Sequence, residues 1–570
     1  MDLSPDATNP DLARRRADLE LSRPTWTPRT FAQHLDHCAE RWPDNIYIES
    51  AGQSWSYRDV AAYSRRAAGG FHRAGIGAGD RVALLMGNSA EFVAMYAGLT
   101  RIGAIAVPMN YLLGTEEMRY VLDHSEPSIV VLDCEVAGRD VATVLRNTGA
   151  FDGRGPRLVV RSGRPSFEPW TAWDDLLGDG EDAAAPDAGS PTAPCAIMYT
   201  AGSSGTPKGA LLHSDAMLRE AYGTALTRGY DTGWSSLTAL PSFHLFGLAQ
   251  CILPATFVGG RVILRQRFDP REQLETIAAG AASDIVVVAA MAYRLIDELA
   301  TFDRDAHPGW ALRSVFIGGD AMPEADWQKV RDAFGVDEVT SGFGMTELQG
   351  TAFMVPPGSS NEVLANTVGW ESTAGCAGIA ALGGAEHEWR VVDPGGGQVV
   401  APGEIGELQY RGPSVSPGYW RMDPETDASR VDGWFRSGDL GWVREDGAFV
   451  FTGRNSDVYR SGGELVSPRE VEALIADLPG VGAAYVVGVP DRRWGQAGCA
   501  WIVPAPGAQP DLDAVITHCQ ERLARYKVPK YAFLIAEADV PVSASGKFRK
   551  RGLVDLAVER LADRSLAVAE

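Results

Sequence analysis

Apolar and polar positions change period repeatedly along the chain, and those changes mark its elements. Phe31 to Trp42 carries apolar residues at helical spacing, whereas Arg81 to Met86 (RVALLM) is a short apolar run opened by the turn GIGAGD. A helical pattern follows over Ala90 to Ile102, and strand-like runs over Ala104 to Val107 and Ser128 to Leu132. Short apolar runs bounded by turn residues read as buried strands, and longer stretches with apolar residues three and four apart read as helices. Asp284 to Ala289 (DIVVVA) and Ser314 to Ile317 are the clearest further strands. This alternation predicts an α/β fold with parallel sheets and crossover helices.

The remaining stretches set the expected domain plan. Residues 1–28 read as a poorly structured N-terminal arm, 29–456 as a large domain, and 457–570 as a smaller domain with strands of its own, such as Ala484 to Gly488. Between Gly149 and Pro194 the text turns to Gly, Asp, Ala and Pro, which predicts a surface excursion. From Val391 to Gly453 the spacing shortens and Gly-rich turns multiply, as in β-hairpins. No internal repeat or long low-complexity tract interrupts this plan.

Composition narrows the class. A chain of 570 residues exceeds one ordinary core, and 45% apolar with 22% charged residues is the balance of a folded protein. The formal net charge of −22 repels a phosphate backbone, so neither nucleic acid nor an anionic membrane is an expected partner. A local basic pocket can still take an anionic substrate. The seven cysteines are scattered without metal-ligand spacing, which argues against a disulfide framework or structural zinc. Met1 to Arg16 lacks the apolar core of a signal peptide, and no apolar run approaches a membrane span. A reducing cytoplasm is the expected location.

The strand-like Ile197-Met198 runs into Tyr199-Thr200-Ala201-Gly202-Ser203-Ser204-Gly205-Thr206-Pro207-Lys208-Gly209. Glycines let the backbone turn tightly and present N–H groups, the hydroxyls of Thr200, Ser203, Ser204 and Thr206 can donate to phosphoryl oxygens, and Lys208 adds positive charge. A Walker A loop needs Ser or Thr after its Gly-Lys, and a nucleophile elbow needs Gly-x-Ser-x-Gly; both spacings fail here. The plain alternative is a flexible Gly/Ser linker.

This loop resembles that of the adenylate-forming superfamily of acyl-CoA synthetases, peptide-synthetase adenylation domains and firefly-type luciferases. It departs from the family text only at Ala201 and Ser204, both small. The resemblance runs from about Phe31 to Leu553, with further motifs in the family's order. It implies a large domain of parallel-rich sheets with a small β-barrel-like part, and a mobile α+β C-terminal domain that swings about a hinge at Asp457. Ser456 stands where the family usually has Lys.

Site residues follow from the same resemblance. Ser341-Gly342-Phe343-Gly344-Met345-Thr346-Glu347 implies adenine stacking on Phe343, an α-phosphate contact from Thr346, and Mg²⁺ held by Glu347 with Thr200; alone, it would read as a helix N-terminus with a capping Thr. Gly318-Gly319-Asp320 matches the stretch beside adenine and the acyl tunnel. Asp439 and Arg454 correspond to the ribose-binding pair, and an acceptor-only carboxylate suits two hydroxyl donors. Arg460, Gly462 and Gly463 match the loop along the pantetheine tunnel, with Leu465 in place of the commoner Asn. Gln496 replaces Glu in the Trp-Gly-Glu segment. Lys547, in PVSASGK, corresponds to the lysine that stabilises charge between the carboxylate and the α-phosphate. In Pro241 to Gly247, His244 or its neighbour matches the gate of the carboxylate pocket; the plain alternative is a core histidine ending a strand. Ala289-Ala290-Met291 stands where many relatives carry Pro-Thr-Met.

The implied reaction is ATP- and Mg²⁺-dependent activation of a carboxylic acid to acyl-AMP, followed by acyl transfer to a thiol, coenzyme A foremost. Ser242-Phe243-His244, with no nearby Asp to hold an α-amino group, leans towards fatty or aryl acids. Transfer to an acyl-carrier protein or an amine, a luciferase-like oxidation, and a nucleotide-binding paralogue without turnover are the alternatives. A monomer or homodimer is expected.

Overall fold

The computed structural model describes residues 9–151, 155–165, 167–177, 185–200, 207–304, 307–319, 321–372, 375–395, 397–454, 457–461, 464–491, 494–541 and 550–567. The chain divides into two compact units, Met1–Trp389 with Tyr410–Phe435 and Gly447–Phe449, and Arg390–Gln409 with Arg436–Asp446 and Val450–Glu570.

Two large sheets organise the first unit. In the nine-stranded sheet, Asp284–Val288, Ser314–Gly318 and Glu338–Met345 run parallel side by side, with Gly350–Val355 antiparallel beyond them. Ile285, Val286, Val287, Val315, Phe316 and Ile317 are all buried, as the near-continuous apolar runs require of strands covered on both faces. The crossover helices Ala289–Leu299 and Glu324–Phe334 lie between these strands in sequence and bury Ala292, Leu295, Trp327 and Val330. The seven-stranded sheet runs in the order Lys208–His213, Pro194–Thr200, Ile105–Pro108, Arg81–Leu85, Ile129–Asp133, Arg157–Ser162 and Thr171–Ala172. Mixed sheets with covering helices agree with the expected α/β class.

Two expectations need correction. The stretch 149–194 is more than a surface excursion, because Arg157–Ser162 enters the seven-stranded sheet parallel to Ile129–Asp133 and buries Leu158, Val159 and Val160. Only three apolar residues carry that strand, and the Gly- and Asp-rich text around it hides them. The expected arm holds a helix, Pro10–Ser22, whose N-cap Asn9 accepts a hydrogen bond from Leu12 N at 3.0 Å. Leu12 and Leu19 are buried, and so is Arg15, which donates to the Gly229 carbonyl at 2.6 Å and pairs with Glu338. A buried arginine reads as surface in a hydrophobicity pattern, so the helix was invisible there.

A buried ion pair ties three strands of the nine-stranded sheet together. Arg228 and Asp284 are both fully buried and paired; Arg228 also donates to Ser314 Oγ at 3.1 Å, while Ser236 Oγ donates to Asp284 at 2.7 Å. All seven cysteines are free and buried. Among the described residues no helix is long and apolar enough to cross a membrane.

In the second unit the antiparallel hairpin Val481–Asp491 with Gly495–Pro504 carries the packing. Its residues alternate between two cores: Val487, Val489, Cys499 and Trp501 on one face, and Val486, Ala500 and Ile502 on the other. Lys550–Ala567 lies in the same unit, and Lys550 pairs with Glu472 at 2.9 Å.

Candidate active site

The phosphate-type loop springs from a hairpin. Pro194–Thr200 pairs with Lys208–His213 in antiparallel register, Thr200 opposite Lys208, and Thr200 Oγ1 lies 3.5 Å from the Lys208 carbonyl. Ser203, Ser204, Gly205 and Thr206 lie outside the described residues. Both stems are fixed by partners from distant sequence. Tyr120 donates to the Pro207 carbonyl at 2.9 Å, and Trp420 N donates to the Gly209 carbonyl at 2.7 Å.

Lys208 Nζ sits 4.9 Å from the centre of the Tyr419 ring, and the Tyr419 hydroxyl donates to Glu347 Oε1 at 2.9 Å. One tyrosine therefore links the loop's cation to the acidic motif. Glu347 is 9% exposed, and its carbonyl accepts from Ser416 N at 2.7 Å. Gln349, buried and at φ +59°, accepts from His213 N at 2.7 Å and donates to the Ser414 carbonyl at 3.2 Å. The segment 414–420 is thus clamped between the hairpin and the turn after Glu347. A buried carboxylate with one oxygen engaged by a neutral donor is a hard-oxygen ligand of the kind Mg²⁺ takes. Sequence reading missed Tyr419 and Gln349; the aromatic pair Tyr419-Trp420 after Ser-Pro-Gly was the available signal.

Ser341 to Met345 lie on the strand Glu338–Met345, and Thr346–Leu348 form a single 3-10 turn, so no long helix starts at Thr346. The ladder shifts register between Phe343 and Gly344, a bulge of the type that re-aims side chains. Phe343 is half-buried, its ring 6.2 Å from Phe353 and 6.3 Å from Phe449. Gly318 lies opposite Gly342 on the neighbouring strand. A Cβ on Gly318 would stand 2.7 Å from the Phe246 ring, so glycine is what lets that ring close over the strand end. Gly319, at φ +97°, lies beside Val288, immediately before the helix that holds Ala289, Ala290 and Met291. Asp320 lies outside the described residues.

His244 is exposed, and its Nδ1 accepts from Phe246 N at 3.2 Å. The core-histidine alternative fails on that exposure. The turn it caps delivers Phe246 to Gly318 and to Phe316, 5.6 Å away edge-on.

Behind the acidic motif lies a second carboxylate. Glu220 is buried, accepts from Ser414 Oγ, and sits 3.9 Å from His387 Nδ1, which is itself 3.5 Å from Glu371. Burial pushes the Glu220 carboxyl up to about 7, against the pull of His387 and the Ser414 hydrogen bond.

The second unit contains its own cluster. Asp439 is 1% exposed and lies 3.1 Å from Arg454 Nε, while its backbone N–H donates to Ser437 Oγ at 3.0 Å. Arg460 lies on the strand Tyr459–Ser461, opposite Leu465. Gly462, Gly463, Ser456 and Lys547 lie outside the described residues.

Residues 35–420 match the family model for AMP-binding enzyme, and residues 470–547 that for the AMP-binding enzyme C-terminal domain. The chain is 32% identical over 522 residues to a feruloyl-CoA synthase of an Amycolatopsis species, covering 89% of this chain and 95% of that one. It is 33% identical to a 2-succinylbenzoate–CoA ligase of Geobacillus kaustophilus (92% and 97% covered) and 31% identical to an indoleacetate–CoA ligase of Aromatoleum aromaticum (91% and 96%). Among solved structures, ATP-bound MatB from Rhodopseudomonas palustris superposes with a TM-score of 0.78 at 28% identity, covering 92% of this chain and 98% of that one. The o-succinylbenzoate CoA synthetase of Bacillus subtilis with its acyl-adenylate intermediate gives 0.76 at 26% identity, with 92% and 97% covered.

Proposed function

We propose, since the chain belongs to the AMP-binding enzyme family, that it is an acid–thiol ligase converting an aryl carboxylic acid, ATP and coenzyme A to the acyl-CoA, AMP and pyrophosphate. The observation that carries the reading is the link from Lys208 through Tyr419 to Glu347, which joins the cation of the candidate phosphate loop to a buried carboxylate. Relatives named for feruloyl, succinylbenzoate and indoleacetate substrates support an aromatic acid, and the half-buried Phe246 ring beside Gly318 supplies an apolar surface for one.

In this reading Thr200, Ser203, Ser204, Gly205, Thr206 and Lys208 bind the β- and γ-phosphates. Phe343 stacks on adenine, Gly318, Gly319, Asp320, Ser341, Gly342, Gly344 and Met345 complete the nucleotide site, and Thr346 contacts the α-phosphate. Glu347 and Thr200 would hold Mg²⁺, which when bound neutralises phosphate charge. Asp439 accepts from the ribose hydroxyls, and its 3.1 Å pair with Arg454 holds that carboxylate in place. The substrate carboxylate attacks the α-phosphorus, pyrophosphate departs, and Lys547 meets the charge that gathers there. The thiol then attacks the acyl carbonyl beside Arg460, Gly462 and Gly463, and AMP leaves. We assign residues 29–456 and 457–570 to the two domains that carry these steps, hinged at Asp457, with His244 gating the acid's entry.

The test is a pyrophosphate-release screen over aryl, fatty and alicyclic acids with Mg-ATP, followed by free coenzyme A or an acyl-carrier protein. Aryl-dependent release with acyl-CoA formation is expected. Release that no acid stimulates would overturn the proposal; thioester on the carrier protein alone would overturn the assigned acceptor.

A further inference from the structure

A second basic site lies in the first unit, among residues the adenylation reading does not use. The turn after the helix Pro10–Ser22, the helix Phe31–Arg41 and Phe257 enclose a cavity of about 160 Å³. Arg23, Arg29 and Arg41 all line it, together with His34 and His37. In a chain of net charge −22, three arginines converge there, and among the described residues none of the three pairs with a carboxylate.

Arg23 is the centre of the argument. Its guanidinium carbon lies 4.7 Å from the centre of the Phe257 ring. Its Nε and Nη2 are shielded from solvent and have no hydrogen-bond partner among the described residues. Burial pulls its pKa down, and the charges of Arg29 and Arg41 push the same way. His34 adds no further positive charge: burial, then Arg23 and Arg29, push its pKa well down, and its Nε2 is already engaged with Thr256 Oγ1 at 2.8 Å. Shielded, unpaired charged donors on Arg23 are costly, and an anion in the cavity offsets the mutual repulsion of the three guanidinium groups.

We propose that this cavity binds a phosphate-class oxyanion, either inorganic phosphate or the phosphate of a phosphomonoester. The fork geometry of guanidinium suits phosphate oxygens, and a tetrahedral dianion offers enough acceptors for three arginines where a carboxylate does not.

Calorimetric titration of the full chain tests this with inorganic phosphate, glycerol phosphate and acetate in separate arms. One equivalent of phosphate or phosphomonoester should bind, the tighter of the two naming the source, with acetate at least tenfold weaker. Arg23→Met keeps the stem over Phe257 and should weaken phosphate binding at least tenfold, while carboxylate-dependent ATP–pyrophosphate exchange stays unchanged. Arg29→Gln should weaken it in the same direction, and it decides the matter if the Arg23 variant does not fold. No phosphate binding in the millimolar range, equal binding of acetate, or unchanged phosphate binding in the folded variants would each overturn the proposal.

Discussion

Tyr419→Phe removes one oxygen and leaves the ring, which makes it a clean probe of the link between Lys208 and Glu347. The cation–ring contact at 4.9 Å survives the change, whereas the 2.9 Å hydrogen bond to Glu347 Oε1 is lost. Glu347 is only 9% exposed, so solvent makes up little of that loss. A hydrogen bond to a charged group contributes about 1.5–3 kcal/mol, and the lower end corresponds to roughly tenfold in an equilibrium constant. If Glu347 holds Mg²⁺ as proposed, its misorientation shows in metal use. Carboxylate-dependent ATP–pyrophosphate exchange, followed against Mg²⁺ concentration, should need roughly tenfold more metal for half-maximal rate. Circular dichroism should show the thermal midpoint moved by only a few degrees. A metal dependence superimposable on that of the unaltered protein would refute the reasoning.

Lys547→Ala should lower the same exchange at least a hundredfold, a loss of about 3 kcal/mol of transition-state stabilisation, with little change in KM for ATP; unaltered exchange would remove Lys547 from the chemistry. Glu220 should make stability fall with rising pH. Its folded pKa of about 7 exceeds the ordinary 4.5, so the fold keeps a proton that the unfolded chain releases. That contribution is fully present below 4.5 and is lost as pH rises through 7, about 3 kcal/mol in all. Glu220→Gln should flatten denaturation midpoints across that window, and parallel curves for the two proteins would contradict it. Arg228→Met strands the fully buried Asp284 and should cost about 3–5 kcal/mol by urea unfolding; a loss under about 1 kcal/mol would show the pair to be dispensable.

The sheet strands were legible because burial on both faces leaves a nearly pure apolar run, as in Asp284–Val288. The helix Pro10–Ser22 was not, because Arg15 is buried through ion pairing with a residue 323 positions away. Arg157–Ser162 escaped for a related reason: its three buried apolar residues sit in polar text. The candidate phosphate loop and acidic motif stand out in the sequence through residue types that few other chemistries need together. Tyr419 and Gln349 did not, since their roles arise where three distant segments meet. The exposure of His244 was equally beyond a reading of sequence, which left a buried histidine open.

Isotope transfer tests the central claim most directly. With the acid labelled by ¹⁸O in both carboxylate oxygens, turnover with Mg-ATP and coenzyme A should place one ¹⁸O in the phosphate of each AMP formed, as read by mass spectrometry. The label moves only if that carboxylate has bonded to the α-phosphorus. AMP free of label, with the isotope retained in the acid or found in inorganic phosphate, would contradict the account.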